Sequence, residues 1–294
     1  FNFLESNFTK NSPDLASKPL RFGLETALYD ALGKLRKIPL VKLLGGYPRR
    51  VGLNATISAG DADEVIREAL IAVQGGFECV KIKVTGKDSK YDQSIIENLR
   101  ISLGADIKLR IDVNGALSLI DALAQLPQWA RYNLEYVEQP VSAKEIETLA
   151  ALLEPNKPRL AADEAITGPE AAQQILETKS VSYIVIKLAA VGGLKNGQAI
   201  MRLAKVHACD AVVTSSIESG VGVAAAVHFA SSCPDDMPAS GLATTMLLEH
   251  DLLSDSLPIF NANVQCPEKP GLGISLDKSA LDRYAVGMHG SIIR

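Results

Sequence analysis

Glu78-Cys79-Val80-Lys81-Ile82-Lys83-Val84 is the stretch whose reading decides the fold. Its β-branched residues alternate with Cys79, Lys81 and Lys83, the period of a strand, so the two lysines share one face and Val80, Ile82 and Val84 the other. Two ammonium groups on a strand that is otherwise apolar must be paired or hydrated. They are expected to point at something negative, which later strands supply together with a third lysine.

The surroundings of this strand set the scale. The chain has 294 residues, 47% hydrophobic and 22% charged, with a formal net charge of −4. That suits a globular protein with one large core, of the size of a barrel of alternating strands and helices with an appendage. The charge gives no nucleic-acid surface. No apolar run approaches the ~18 residues of a membrane span, and no secretory signal is visible. Cys79, Cys209, Cys233 and Cys266 are scattered, which suits a reducing compartment, a cytoplasm or an organelle interior such as a plastid, and argues against a thiolate metal site. His207, His228, His250 and His289 form no metal-binding spacing. A first residue Phe1 rather than Met is what a fragment or a processed product shows.

Outward from the lysine strand the chain repeats one unit. Before it, residues 1–18 make no clear element, and 21–37 carry apolar residues at helical spacing that resume at 40–44 beyond Pro39. Residues 51–58 read as a strand and 61–73 as a helix with an Asp start. After it come helix 90–103, strand 108–114, helix 118–129, strand 134–139, helix 143–153, strand 159–165 and helix 169–177. The series continues with strand 183–188, helix 193–208, strand 211–216, helix 224–230 and a candidate eighth strand at 239–244. Alternation of this kind implies parallel pairing through right-handed crossovers. Eight strands favour a closed barrel, with a doubly wound sheet as the alternative.

Polar residues mark the ends of these strands. Lys83, Asp112, Glu138, Asp163, Lys187 and Ser216 follow one another at intervals of 29, 26, 25, 24 and 29 residues, one strand-helix unit each. In a parallel barrel all such positions converge on one mouth, where active sites of this architecture are built. An open sheet would spread them along an edge.

Asp112, Glu138 and Asp163 offer hard oxygen ligands with no thiolate or imidazole beside them, a set that suits Mg²⁺, with Mn²⁺ also acceptable. The alternative is that each acid pairs with a lysine or caps a helix. Lys83 as a base needs its pKa brought from near 10.4 to about 7.5, or about 4 kcal/mol. A like charge near 4 Å contributes on the order of 4 kcal/mol at an effective dielectric near 20. Lys81 and a metal would supply that push, and the three acids oppose it.

Lys81-Ile82-Lys83, Asp112-Val113-Asn114, Glu138-Gln139-Pro140, Asp163-Glu164 and Ile186-Lys187-Leu188 together resemble the motif set of the enolase superfamily, in particular its muconate-lactonizing-enzyme group. The resemblance covers about residues 20–250. It implies an α/β fold, a modified (β/α) TIM-type barrel with a partial helical capping domain, and proton abstraction beside the carboxylate of a small molecule to give an enediolate. By position, Asp112, Glu138 and Asp163 would be metal ligands, Lys83 and Lys187 the catalytic pair on opposite faces of the substrate, and Lys81 a supporting group. Asn114, Ser215 and Ser216 would contact substrate. The domain plan is then a later part of a capping domain at 1–48, the barrel at 49–248, and a segment at 249–294 that returns to the cap. The early strands and mobile loop of the family's cap are not visible, which bears on closure of the site.

Members of the group differ in reaction. Residues 214–222, Thr-Ser-Ser-Ile-Glu-Ser-Gly-Val-Gly, look like the seventh-strand segment of o-succinylbenzoate synthases, although Ser219 and Gly220 also suit a simple strand-to-helix turn. Residues 241–245, Gly-Leu-Ala-Thr-Thr, lack the Asp-x-Asp that dipeptide epimerases place at the eighth strand. These features favour a dehydratase that makes o-succinylbenzoate for menaquinone or phylloquinone. The alternatives are an N-acylamino acid racemase or dipeptide epimerase, and a non-catalytic barrel of a longer polypeptide. Other residues take plainer readings. Trp129 packs the barrel, His207 and His228 are surface or capping groups, Gly192-Gly193 form a tight turn, Arg110 makes a structural ion pair, and Glu164 alternates away from Asp163 without a role.

Overall fold

The computed structural model describes residues 17–58, 60–152 and 157–286. Seven parallel strands follow one another in chain order: β2 (Ala55–Ile57), β3 (Cys79–Lys83), β4 (Lys108–Asp112), β5 (Leu134–Glu138), β6 (Leu160–Ala162), β7 (Tyr183–Lys187) and β8 (Asp210–Thr214). A three-residue strand, β1 (Arg50–Gly52), stands before them. Between them run helices α3 (Ala62–Gln74), α4 (Ser89–Leu103), α5 (Leu119–Trp129), α6 (Ile146–Leu152), α7 (Pro169–Glu177), α8 (Leu188–Val191), α9 (Leu194–Val206) and, after β8, α10 (Gly220–Ser232). Polar side chains start several of these helices. The Asp61, Asp88 and Ser118 side chains accept from backbone N–H groups of the first turns of α3, α4 and α5, which satisfies donors that have no partner within the helix.

The sheet curls until its two edges meet, and this is where sequence reading and structure part. Residues 239–244 do not form a full eighth strand. Ser240 and Gly241 alone bridge the edges: Ser240 N–H donates to Gly52 O (2.8 Å) and its carbonyl accepts from Asn54 N–H (2.9 Å), while Gly241 N–H donates to Val213 O (2.9 Å). A Cβ on Gly241 would lie 2.3 Å from Thr214 Oγ1, so only glycine lets the edges approach. Residues 243–247 then turn into a 3-10 helix. The strand expected at 51–58 is likewise split. β1 leaves the barrel to pair antiparallel with β10 (Asn263–Gln265), which pairs in turn with β9 (Ile259–Phe260), and only β2 joins the barrel. The strand expected at 159–165 stops at Ala162, and the end expected for α6 at Leu153 lies outside the described residues.

Period-two alternation sorts β3 as expected. Val80 and Ile82 are fully buried against the helices, and Cys79, Lys81 and Lys83 face inward. Such strands are covered on both faces, as parallel sheets require. At the floor of the barrel Arg110, fully buried, gives Nε to Glu135 Oε2 (2.5 Å) and Nη1 to Asn54 Oδ1 (2.9 Å) and Ala239 O (2.8 Å), and its guanidinium stands 4.9 Å from the Tyr136 ring centroid. Leu109 pairs with Leu134 but Arg110 with Tyr136, so Glu135 is the extra residue of a bulge that brings it to Arg110. Trp129 is fully buried in packing.

Two helices precede the barrel: α1 (Lys18–Arg36) and α2 (Leu40–Leu43). The Glu25 carboxylate of α1 accepts from the Lys195 N–H (3.2 Å) at the start of α9, where a Cβ on Gly193 (φ +120) would collide with it. A carboxylate at a helix N-terminus meets unpaired N–H groups and the positive end of the helix dipole. Gly192-Gly193 therefore form the expected turn, and that turn receives the protein's own acid. Asp251 does the same for α10, its Oδ1 accepting from Gly220 N–H at 2.7 Å.

His228, expected as a surface or capping group, is fully buried on α10. Its Nδ1 accepts from Val41 N–H (3.2 Å) and its Nε2 faces Leu272 O (3.1 Å), so one neutral ring joins α10, α2 and the C-terminal segment. The apolar setting of α10 hides the ring, and helical position alone gives no sign of it. No helix among the described residues is long and apolar enough to cross a membrane.

Burial pushes the His228 imidazole from an ordinary 6.5 down to about 4. The unfolded chain therefore binds a proton that the folded chain refuses between these values, and stability falls as pH falls through that window. Urea unfolding should show about 2 kcal/mol less stability at pH 5 than at pH 7 from this group, at 1.36 kcal/mol per pKa unit. In His228→Gln that part of the pH slope should vanish; an unchanged slope would exclude the histidine as its origin.

Candidate active site

Parallel register brings the strand ends together. Lys83 of β3 stands beside Asp112 of β4, which stands beside Glu138 of β5. Asp163 follows β6 directly, and Lys187 ends β7. In sheet order the three acids occupy the arc between the two lysines, so Lys83 and Lys187 flank them from opposite sides of the mouth.

The acids and lysines form one ion network. Lys81, buried one pleat below Lys83, donates to Glu138 Oε1 (2.8 Å) and reaches Asp112 Oδ2 (3.2 Å). Lys83 Nζ lies 4.0 Å from the same Asp112 oxygen and donates to Asn114 Oδ1 (3.1 Å). Lys187 donates to Asp163 Oδ2. Burial alone would strip the charge from Lys81, yet Glu138 and Asp112 outweigh it and hold its pKa above the ordinary lysine value. Burial would also raise the Glu138 carboxyl, but Lys81, with Lys187 behind it, keeps it below the usual range. Asp163 goes the other way: burial first, then the Glu138 charge, push it up to about 7 against the pull of Lys187.

Among the described residues no three acidic, histidine or cysteine side chains stand preassembled around a common point. Lys81 holds Asp112 and Glu138, and Asp163 is turned to Lys187. A divalent ion nevertheless fits the donor set. Glu138 Oε2 is buried with no hydrogen-bond partner among the described residues, and such an orphaned carboxylate oxygen calls for a cation. All three acids supply the hard oxygen that Mg²⁺ or Mn²⁺ prefers.

The remaining expected contacts divide. Asn114, at φ +48, has its backbone N–H on Asp112 Oδ1 (3.1 Å), and its side chain leans over Lys83. Ser215 is buried: its Oγ lies 2.5 Å from Thr244 Oγ1 and accepts from Ile217 N–H (3.2 Å). Ser216 is exposed, with its N–H on Glu218 Oε2 (2.6 Å).

Two residues of this mouth carried no role in the sequence reading. Glu164 does not turn away: its Oε1 accepts from Asn114 Nδ2 at 3.1 Å. Strand alternation fails there because β6 ends at Ala162. Gln139 is fully buried, its Oε1 accepting from the N–H groups of Asp163 (2.9 Å) and Ala165 (3.3 Å) and its Nε2 donating to Val141 O (2.9 Å), so it shapes the loop that carries Asp163 and Glu164. Its place between Glu138 and Pro140, a polar side chain at the end of a buried strand, is the signal that points to it.

A family model described as enolase C-terminal domain-like matches residues 64–280. The chain belongs to the enolase superfamily. It is 30% identical over 253 residues to the L-Ala-D/L-Glu epimerase of Bacillus subtilis, covering 85% of this chain and 69% of that protein. Muconate cycloisomerase 1 of Rhodococcus opacus is 28% identical over 263 residues, 89% of this chain and 70% of that one. A substrate-liganded complex of the B. subtilis epimerase superposes with a TM-score of 0.80 at 28% identity, over 88% of this chain and 72% of the other. Epimerases and cycloisomerases are thus its relatives, and the TIM-type fold is shared with them.

Removing one member of a buried ion network leaves its partners uncompensated, at a cost of about 3–5 kcal/mol. Lys81→Met in the presence of chelator should lose that much stability in urea unfolding at pH 7. A loss under about 1 kcal/mol would mean that Asp112 and Glu138 are neutralised by something other than this lysine.

Proposed function

We propose that this protein removes the proton next to the carboxylate of a small molecule, and that it does so as a dehydratase of the o-succinylbenzoate synthase type. The observation that carries the reading is the placement of Lys83 and Lys187 on opposite sides of three converging carboxylates. Asp112, Glu138 and Asp163 would hold Mg²⁺, or Mn²⁺ in its place. Bound there, the ion would neutralise the substrate carboxylate and so favour negative charge on its oxygens.

The chain's own groups do the rest. Lys83, in its neutral form, takes the α proton. Asn114 Oδ1 orients its amine, and Lys81, held in the charged state by two carboxylates, stands behind it. For loss of a proton and a hydroxyl from one face, Lys83 can return the proton to the leaving oxygen. Lys187 on the far side serves as a fixed cation, steadied by Asp163. Asn114 and Ser216 line the approach; the Ser215 hydroxyl, committed to Thr244, acts on the shape of its loop. Helices α1 and α2 and the segment after Leu248 would form the capping part over the barrel. This reading sets the enzyme in a cytoplasm or plastid.

The 30% identity to an epimerase favours a second reading, epimerisation of a dipeptide or racemisation of an acylated amino acid. Against the dipeptide, the bridge at Ser240–Gly241 and the residues up to Thr245 carry no carboxylate to receive a substrate ammonium group; an acylated amino acid has no such group, and the exchange experiment below decides that case.

Turnover of the cyclohexadiene carboxylate whose dehydration gives o-succinylbenzoate, followed by ultraviolet absorbance, should be abolished by chelation and restored by Mg²⁺. Incubation of dipeptides and acylated amino acids in D₂O should leave the α-carbon proton in place by NMR; efficient exchange would install the epimerase instead. Lys83→Ala should lower kcat by about 10²–10⁴-fold, and ordinary turnover by that variant would end the lysine mechanism. Lys187→Arg keeps the cation but cannot exchange protons near neutral pH, so a dehydratase retains measurable activity and an epimerase does not.

A further inference from the structure

Glu164 lies at the mouth, exposed, immediately after Asp163, with its Oε1 3.1 Å from Asn114 Nδ2. The other end of the same amide, Oδ1, accepts from Lys83 Nζ at 3.1 Å. We propose that Glu164 is a positioning residue that fixes which way the Asn114 amide faces, and through it the direction of the Lys83 amine. The inference rests on the reading of Lys83 as the proton-transferring group.

The chemistry of the three groups sets the polarity of the chain. An amide has a donor end and an acceptor end that differ little in shape. A carboxylate only accepts, so Glu164 selects the orientation in which Nδ2 faces it, and Oδ1 is left toward Lys83. In the reversed orientation an NH₂ group would face the lysine, opposing its ammonium form and, in the neutral amine, tying up the lone pair that takes the proton, and the oxygen would face the carboxylate. Either contact alone is unfavourable, and both arise together.

Each member is held from behind. The Asn114 backbone sits in the left-handed region at φ +48, which Asn tolerates better than most residues, and its N–H is tied to Asp112 Oδ1. Gly115 follows at φ +69 with its N–H on Gln139 O (2.6 Å). Gln139 Oε1 fastens the backbone on both sides of Glu164, at Asp163 and Ala165. With the backbone on both sides held, the Asn114 amide torsion is the one that Glu164 decides.

Five chains test this: wild type, Glu164→Gln, Glu164→Met, Asn114→Ala and the double variant Glu164→Met/Asn114→Ala. Two readouts are taken, the steady-state constants for the cyclohexadiene carboxylate and the rate at which Lys83 is dimethylated by formaldehyde and cyanoborohydride, read by peptide mass spectrometry. Gln can accept from Asn114 Nδ2 but can also donate, so it selects the amide orientation less firmly, and Glu164→Gln should fall between wild type and Glu164→Met in both readouts. Glu164→Met should lower kcat by about 10- to 100-fold, the scale of a catalytic group displaced by about 1 Å, with little change in KM. It should shift the Lys83 labelling rate to that of Asn114→Ala, with thermal stability unchanged. The double variant should match Asn114→Ala in both readouts, because Glu164 acts only through that amide. The proposal is overturned if Glu164→Met keeps the kcat of wild type. It is equally overturned if the two single effects add, or if Glu164→Met leaves Lys83 labelling unmoved. Should wild type turn over neither this substrate nor a dipeptide, the proposed function fails, while the labelling rates still decide whether Glu164 sets the Lys83 amine through Asn114.

Discussion

The ammonium group of Lys81 is the constraint on which the site depends. It is buried beneath the mouth and joined to both Asp112 and Glu138. Without it, converging three carboxylates in a barrel would oppose folding, since each ion loses its hydration and faces like charge. With it, the acids can stand close together before any ligand arrives, at the cost of a network that is not fully satisfied. The unpartnered oxygen of Glu138 and the upward-shifted Asp163 are where that remaining imbalance is stored. Sites that bind cations tightly leave such an imbalance, because a network already neutral and fully bonded has little to gain from an ion.

A second constraint comes from the helices that follow β7 and β8. Helix N-termini present free N–H groups that often receive phosphate. Here the two places are taken by the protein: Glu25 of α1 sits at the start of α9, and Asp251 sits at the start of α10. The same N–H groups that could bind a phosphate ester instead fasten the flanking segments to the rim. His228 performs a like task at the far end of α10, holding α2 and Leu272 by their backbone groups, with Cys266 Sγ 3.3 Å from its Nδ1. The flanking segments are thereby attached through polar contacts to backbone that any side-chain sequence would offer, and the acids' identities carry the specificity.

These attachments also explain what could and could not be read from the sequence. The barrel, its parallel order and the convergence of Lys83, Asp112, Glu138, Asp163 and Lys187 were legible because strand periodicity and a regular interval between strand ends both survive in one dimension. Glu164 was misread because alternation was carried one residue past the end of β6, into a loop whose direction Gln139 sets from another strand. His228 lies on a helix so uniformly apolar that no face distinguishes itself, and its partners Val41, Leu272 and Cys266 are 187, 44 and 38 residues away in sequence. The eighth strand was overestimated for a related reason. Gly241 is required by the close approach to Thr214, a contact with another strand, and nothing in residues 239–244 reports that distance.

The same division bears on how one scaffold serves several reactions. The ion network sits on five consecutive strand ends, braced by register, and little in it can vary without disturbing its neighbours. The rim near the closing bridge is different. Ile217 stands at φ +64, a backbone conformation costly for a β-branched residue, with its side chain more than half exposed. It is held there by Ser215 Oγ, which is in turn held by Thr244 beyond the bridge. A change at Thr244 would therefore move the backbone at 215–217 while leaving Lys83, Lys187 and the three acids in place. A substitution disturbs the ion network least where strain, exposure and weak strand pairing coincide. In this chain that place is the seam between β8 and the Ser240–Gly241 bridge.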